Sequence, residues 1–197
     1  MQFYQTLGIY LLISYANLLS SINIFYPQYA NYVLFDIGFT YLPTVNPIIP
    51  DLILIFYYIY FTIKWFLIHK QLLSKFYIQL SLLFFMRLVA FNITYLPPIN
   101  DDCVGNINDG FKWITPYVGY ACFDNMFSGH TVHMTLLTLF TIHYSENWYE
   151  KIIVKLSYTP YLILIVASRL HYSVDVWIGT LLSILLFYVY YEEKIED

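Results

Sequence analysis

Three residues of this chain combine types and spacings suited to reactions at phosphorus: His130, His171 and Asp175. His171 and Asp175 are spaced i, i+4, which on a helix stacks two side chains on one side. The carboxylate can then accept from one ring nitrogen and fix the tautomer, leaving the other nitrogen as a nucleophile. His130, in the run Ser128-Gly129-His130-Thr131, supplies a second imidazole able to give a proton to a leaving alkoxide. A nucleophile with an orienting acid, opposite a proton donor, is what phosphoryl transfer through a covalent phosphohistidine requires. His69, His133 and His143 stand alone and are expected to be interfacial residues.

The elements that must position these groups follow from composition. Of 197 residues, 59% are hydrophobic and 11% charged, where soluble domains carry roughly a quarter charged. Such a chain belongs in a bilayer, and its 22 tyrosines and 16 phenylalanines suit the two interfacial belts. A crossing helix needs about 20 apolar residues. Six segments come near that length: about 3–25, 51–69, 76–96, 127–144, 152–167 and 172–191. The expected fold is therefore all-α, a single bundle of six transmembrane helices over residues 1–197. The first segment has no basic flank and exceeds a signal-peptide core, so it is expected to be a retained helix.

His130 opens the fourth segment and His171 the sixth, with one helical hairpin between them. Two crossings return the chain to the same membrane face, so the two imidazoles can converge. Lys70, Lys75, Lys151, Lys155 and Lys194 gather on the other face, opposed by Lys112 and Arg169 on the histidine face. The positive-inside rule then makes both termini cytoplasmic and turns the site to the lumen or cell exterior. Cys103 and Cys122 would share one exoplasmic loop, residues 97–125, and a disulfide between them is expected. Arg87 lies within the third segment, where a lone guanidinium needs an anion, and phosphate is the plausible one. Arg169 either holds a second phosphate oxygen or snorkels to lipid head groups. The small net charge of −4 and the lack of a basic run argue against nucleic acid. No metal or cofactor is implied, because the histidines are committed and no further carboxylate cluster accompanies them.

The runs Cys122-Phe123-Asp124-Asn125-Met126-Phe127-Ser128-Gly129-His130-Thr131 and His171-Tyr172-Ser173-Val174-Asp175-Val176 resemble the third and fourth signature motifs of the sphingomyelin synthase family, a branch of the type-2 phosphatidic acid phosphatase superfamily. Arg87 with Thr94, Leu96 and Pro97 is similar to that family's second motif, and Pro47-Ile48-Ile49-Pro50-Asp51 to its first. The four occur in family order across about residues 47–176. The resemblance implies that His171 attacks phosphorus with support from Asp175, and that His130 protonates the diacylglycerol leaving group and then serves as base for the acceptor hydroxyl. Asp124 stands where the family has a carboxylate. It either orients His130 or is a solvated turn residue. Phe123 replaces the family's usual Gly.

The implied activity is transfer of a phospho-head group, phosphocholine favoured, from a glycerophospholipid donor to ceramide. Ethanolamine and inositol head groups remain open. The alternatives are a lipid phosphate phosphatase or phospholipase C-like hydrolase, in which water resolves the phosphohistidine, and a non-catalytic lipid-binding membrane protein. An endomembrane such as the Golgi, or the plasma membrane, is the expected location.

Overall fold

The computed structural model describes residues 3–23, 34–94, 96, 97, 99 and 126–191. Among these it is all-helical: α1 (Phe3–Asn23), α2 (Ile37–Tyr41), α3 (Ile48–Ile68), α4 (Lys70–Ile93), α5 (Gly129–Tyr144), α6 (Trp148–Ala167) and α7 (Ser173–Val189). Six of the seven coincide with the six expected segments. Two of them, α3 and α4, are long and apolar enough to cross a membrane by length and composition. Asp124, Cys103 and Cys122 lie outside the described residues.

Local chemistry sets the helix starts. α4 begins at Lys70, six residues earlier than the apolar run suggests, because the His69 ring caps it, Nδ1 accepting from the Leu72 N–H at 3.4 Å. Asn147 caps α6 by accepting from the Tyr149 N–H at 3.0 Å, which extends that helix to 20 residues from an expected core of 152–167. α2 has no counterpart among the expected segments. Asp36 caps it, its Oδ1 accepting from the Gly38 and Phe39 N–H groups at 2.8 and 3.2 Å.

α5 is the central helix. Its 16 residues rise only about 24 Å, and it packs on α3, α4, α6 and α7. Val132, Met134 and Leu136 are fully buried, and Thr131, Thr135, Thr138 and Thr141 are buried with them. Thr135 Oγ1 meets the Tyr158 hydroxyl of α6 at 2.8 Å. α1 packs chiefly on α4. Where α3, α4 and α5 meet the core is aromatic, Phe61, Phe76 and Phe140 making edge and tilted contacts with centroids 4.8 to 6.3 Å apart. The outer faces of α3, α6 and α7 expose Leu52, Phe56, Ile63, Leu156, Trp177 and Leu185.

Successive long helices alternate in direction, and the contacts at the two ends differ. At one end Lys64 of α3 pairs with Glu150 of α6, and the Ser145 hydroxyl donates to the same carboxylate at 2.6 Å. At the other end the starts of α3, α5 and α7 meet. The histidines are at that second end.

Candidate functional site at the starts of α5 and α7

Ser128 caps α5, its hydroxyl oxygen accepting from the Thr131 N–H at 3.1 Å, and His130 follows as the second helical residue. Its Nε2 lies 2.7 Å from Oδ1 of Asp51, in the first turn of α3. A carboxylate is favourably placed at a helix N-terminus, so Asp51 suits its own helix while holding the His130 ring. Both side chains are about a third exposed, 28% and 31%. Arg87 of α4 is buried and braces this start: its Nε donates to the Phe127 carbonyl at 2.9 Å and its Nη1 to Asn17 Oδ1 of α1 at 3.3 Å.

His171 does not stand on a helix, in contrast to the expectation of an i, i+4 pair stacked within one. It lies in the turn between α6 and α7, where Tyr172 is the N-cap and Ser173 the first helical residue. The helix cannot start sooner because the Asp175 carboxylate accepts from the Tyr172 N–H at 3.1 Å, closing the first turn. The spacing still brings the side chains together, with His171 Nδ1 at 3.6 Å from Asp175 Oδ2. That is ion-pair range and longer than a hydrogen bond. Both residues are buried, at 3% and 0% exposed. Among the described residues the His171 ring makes no hydrogen bond of its own.

Arg169, two residues earlier, has φ 58°. A non-glycine residue held there costs on the order of 1 kcal/mol or more and persists only when its surroundings fix it. They do so here, because Arg169 Nη2 donates to the Phe39 and Leu42 carbonyls at 2.9 and 3.1 Å. Its guanidinium also lies over the Phe39 ring at 4.5 Å.

The two histidine-bearing starts are locked to each other. The Ser128 N–H donates to the Asp175 carbonyl at 3.2 Å. Gly179 of α7 lies against the same turn, where an added Cβ would meet the Ser128 carbonyl oxygen at 3.3 Å. The His130 and His171 rings are consequently neighbours, with centroids 6.0 Å apart. The structure thus brings His130, His171, Asp175 and Asp51 to one place. It turns Arg87 and Arg169 toward backbone carbonyls that border that place.

The remaining histidines are engaged elsewhere. His133 Nδ1 meets the Gly129 carbonyl at 2.8 Å and its Nε2 the Tyr10 hydroxyl at 2.8 Å. A carbonyl only accepts, so the proton is on Nδ1 and Nε2 accepts from tyrosine. His143 packs among Phe187 and Tyr191, with centroids at 5.0 and 4.8 Å.

In the sequence Asp51 is visible only as the end of the Pro47–Asp51 motif, without a role. The available signal was an ionisable group opening an otherwise apolar helix. Asp36 was also missed. It precedes a helix of five residues, too short to show a period, and its cue was only a capping residue two positions before a glycine.

Chemically, the arrangement offers two imidazoles, each beside a carboxylate, one nearly enclosed and one partly open. Such a pair can form and resolve a covalent adduct on one ring while the other carries the proton. Among the described residues no group of three or more His, Cys, Asp or Glu is disposed to hold a metal ion.

Residues 121–192 match the family model described as PAP2 superfamily C-terminal. The matched segment carries His130, His171 and Asp175, whereas Asp36, Asp51 and Arg87 lie before it. No curated protein matches the chain. The match supports the type-2 phosphatidic acid phosphatase superfamily, and with it a phosphotransferase or phosphatase activity on lipids, without selecting a branch.

Proposed function

We propose that the protein is a membrane phosphotransferase of the sphingomyelin synthase type, moving a phospho-head group from a glycerophospholipid to ceramide. The observation that carries the reading is the juxtaposition of His130 and His171, each beside its own carboxylate. In the first half-reaction Nε2 of His171 forms the N–P bond as the P–O bond to diacylglycerol breaks, and His130 gives its proton to the departing oxygen. In the second, His130 takes the proton of the ceramide hydroxyl as that oxygen bonds to phosphorus and the N–P bond breaks. Asp51 holds the ring that moves the proton, and Asp175 stands behind the ring that attacks.

Burial favours transfer over hydrolysis. The nucleophile is almost closed to solvent, whereas the proton carrier is partly open, so the phosphohistidine would be sheltered from the most concentrated competitor, water. Arg87 is close enough to the start of α5 to touch its first turn. It would bind phosphate by exchanging the Phe127 carbonyl for a phosphate oxygen, and Arg169 would have to leave Phe39 or Leu42 in the same way. Asp124 remains a proposed partner of His130.

The six long helices are proposed to cross the bilayer, with α5 shielded in the middle by its neighbours. The lysine-bearing end would face the cytoplasm and the histidine end the lumen or exterior, in an endomembrane or the plasma membrane. Phosphocholine is the head group favoured from the family resemblance, with ethanolamine and inositol as the alternatives.

The test is product analysis. Purified protein in lipid, given head-group-labelled glycerophospholipid and ceramide, should yield phosphosphingolipid and diacylglycerol in equal amounts, with free phospho-head group minor. Omitting ceramide should leave only slow release to water. If soluble phosphate or phospho-head group dominates with or without ceramide, the protein is a hydrolase of the same superfamily.

A further inference from the structure

The segment of residues 34–45, between α1 and α3, lies across the turn that carries His171 and is tied to it along its length. The Leu34 N–H donates to the Tyr172 hydroxyl oxygen at 3.2 Å, and that hydroxyl donates to the Pro97 carbonyl at 3.2 Å. Asp36 Oδ2 accepts from the Ser173 N–H at 2.7 Å, and its Oδ1 from the Ser173 hydroxyl at 2.7 Å. Phe39 stacks on Tyr172, with centroids 5.4 Å apart and planes 29° from parallel. The Arg169 guanidinium binds the Phe39 and Leu42 carbonyls, and the Val45 N–H donates to the Ala167 carbonyl at 3.0 Å. Gly38 makes this approach possible, because a Cβ there would collide with Val166 Cγ1 and Ser173 Oγ.

The contacts converge on the backbone either side of His171. Two successive donors at the start of α7 each have a carboxylate: Tyr172 N–H has Asp175, and Ser173 N–H has Asp36. On the other side, Arg169 is held in the left-handed region by carbonyls of the same segment. The His171 ring faces the Asp175 carboxylate at 3.6 Å, and that carboxylate is itself bound to the Tyr172 N–H, so the direction of Nε2 follows the backbone of this turn. A group that fixes the turn therefore fixes the nucleophile.

We propose that residues 34–45 act as a strap that aims His171, and that Asp36, through Ser173, is its positioning residue. The proposal rests on the reading of His171 as nucleophile for its consequence in turnover, and not for its consequence in geometry. Asp36 touches neither the reacting atoms nor His171 itself. Its loss should let the turn sample other conformations, so that His171 becomes more accessible and is less often aligned.

The experiment uses the full-length protein in lipid nanodiscs and two measurements. Carbethoxylation of each histidine by diethylpyrocarbonate, read by peptide mass spectrometry, reports the state of the His171 turn without any substrate. Head-group transfer or release reports catalysis. Asp36→Ala should raise the His171 labelling rate several-fold relative to His143, and lower kcat by roughly tenfold to a hundredfold with KM little changed, the size of effect a misplacement of about 1 Å produces. Ser173→Ala removes one of the two bonds and no charge, and should move both readouts the same way by less. It also serves if Asp36→Ala does not fold. Raised His171 labelling in a protein whose wild type turns over no lipid keeps the strap and discards the transfer reading. Unchanged His171 labelling in the folded variants, with kcat intact, overturns the strap.

Discussion

A histidine that passes a proton to a leaving oxygen must hold its ring in one orientation, and for His130 the group at hand is Asp51, 2.7 Å away. Asp51→Asn keeps the shape and removes the charge. It should lower kcat by about tenfold to a thousandfold while KM changes little, because the loss falls on the proton-transfer step. Steady-state kinetics on the lipid substrate checks it, and a near wild-type kcat would remove Asp51 from the site. His171→Ala and His130→Ala should each abolish measurable turnover with the helices still inserted, which comparison of activity and circular dichroism in one preparation decides. The proximity of the two histidines and Asp175 was legible in the sequence, because spacing and the parity of one helical hairpin suffice to bring them together. Asp51 was not assigned a role, since its partner is 79 positions away and no local pattern reports such a pair. His171 was placed on a helix because i, i+4 spacing is the helical signature. The same spacing also spans a capped first turn, which the sequence does not distinguish.

At the scale of elements, the site depends on α7 lying close against the start of α5, and Gly179 lies in that contact, against Ser128 and Thr131. Gly179→Val would put two methyl groups toward Ser128 and Thr131, forcing the helices apart at a cost of about 1–3 kcal/mol. The expected outcome is a lower thermal midpoint together with loss of turnover, measured on the same sample; a variant with both unchanged would show that the contact is slack. The strap gives a pH dependence. Burial alone would raise the Asp36 carboxyl, but hydrogen bonds from the Ser173 hydroxyl and N–H, and from the Phe39 and Gly38 N–H groups, outweigh it and hold the carboxyl below its ordinary 3.8. A depressed folded value means that Asp36 contributes stability above the unfolded pKa, lost as pH falls through the folded one. The thermal midpoint of the wild type should therefore drop more steeply below about pH 4 than that of Asp36→Asn, and parallel curves would exclude it. The long helices were visible as apolar runs, but their starts were not, because a ring at His69 and an amide at Asn147 set them rather than hydropathy. The five residues of α2 are held by capping and by contacts to α6 and to the Tyr172 ring, forces that leave no period to read.

For the whole molecule, the division of charge between the two ends is what would orient it under the proposed six-span arrangement. Lys64, Glu150 and Ser145 join the α3, α5 and α6 ends beside the α3–α4 junction with its Lys70, while Asp36, Asp51, His130 and His171 occupy the opposite end. A bilayer seals two such ends from each other only if the helices between them cross it. α5, at 16 residues, falls short of the roughly 30 Å of hydrocarbon, yet in the proposed arrangement its buried position would let neighbours face the lipid for it. Single cysteines should therefore fall into two classes in a background where Cys103 and Cys122 are serine. Gln71→Cys and Glu146→Cys, at the lysine end, should react with a membrane-impermeant maleimide only after the membrane is permeabilised when intact cells or sealed right-side-out vesicles are used. Asn46→Cys, beside the strap, should react without permeabilisation at the plasma membrane, or from the lumenal side in an endomembrane. Labelling of all three from one side in sealed membranes would mean that α3 does not cross, and with it the six-span arrangement would fail. The reverse pattern would keep the crossing and invert the orientation, placing His130 and His171 on the cytoplasmic leaflet and changing which pool of lipid they can reach.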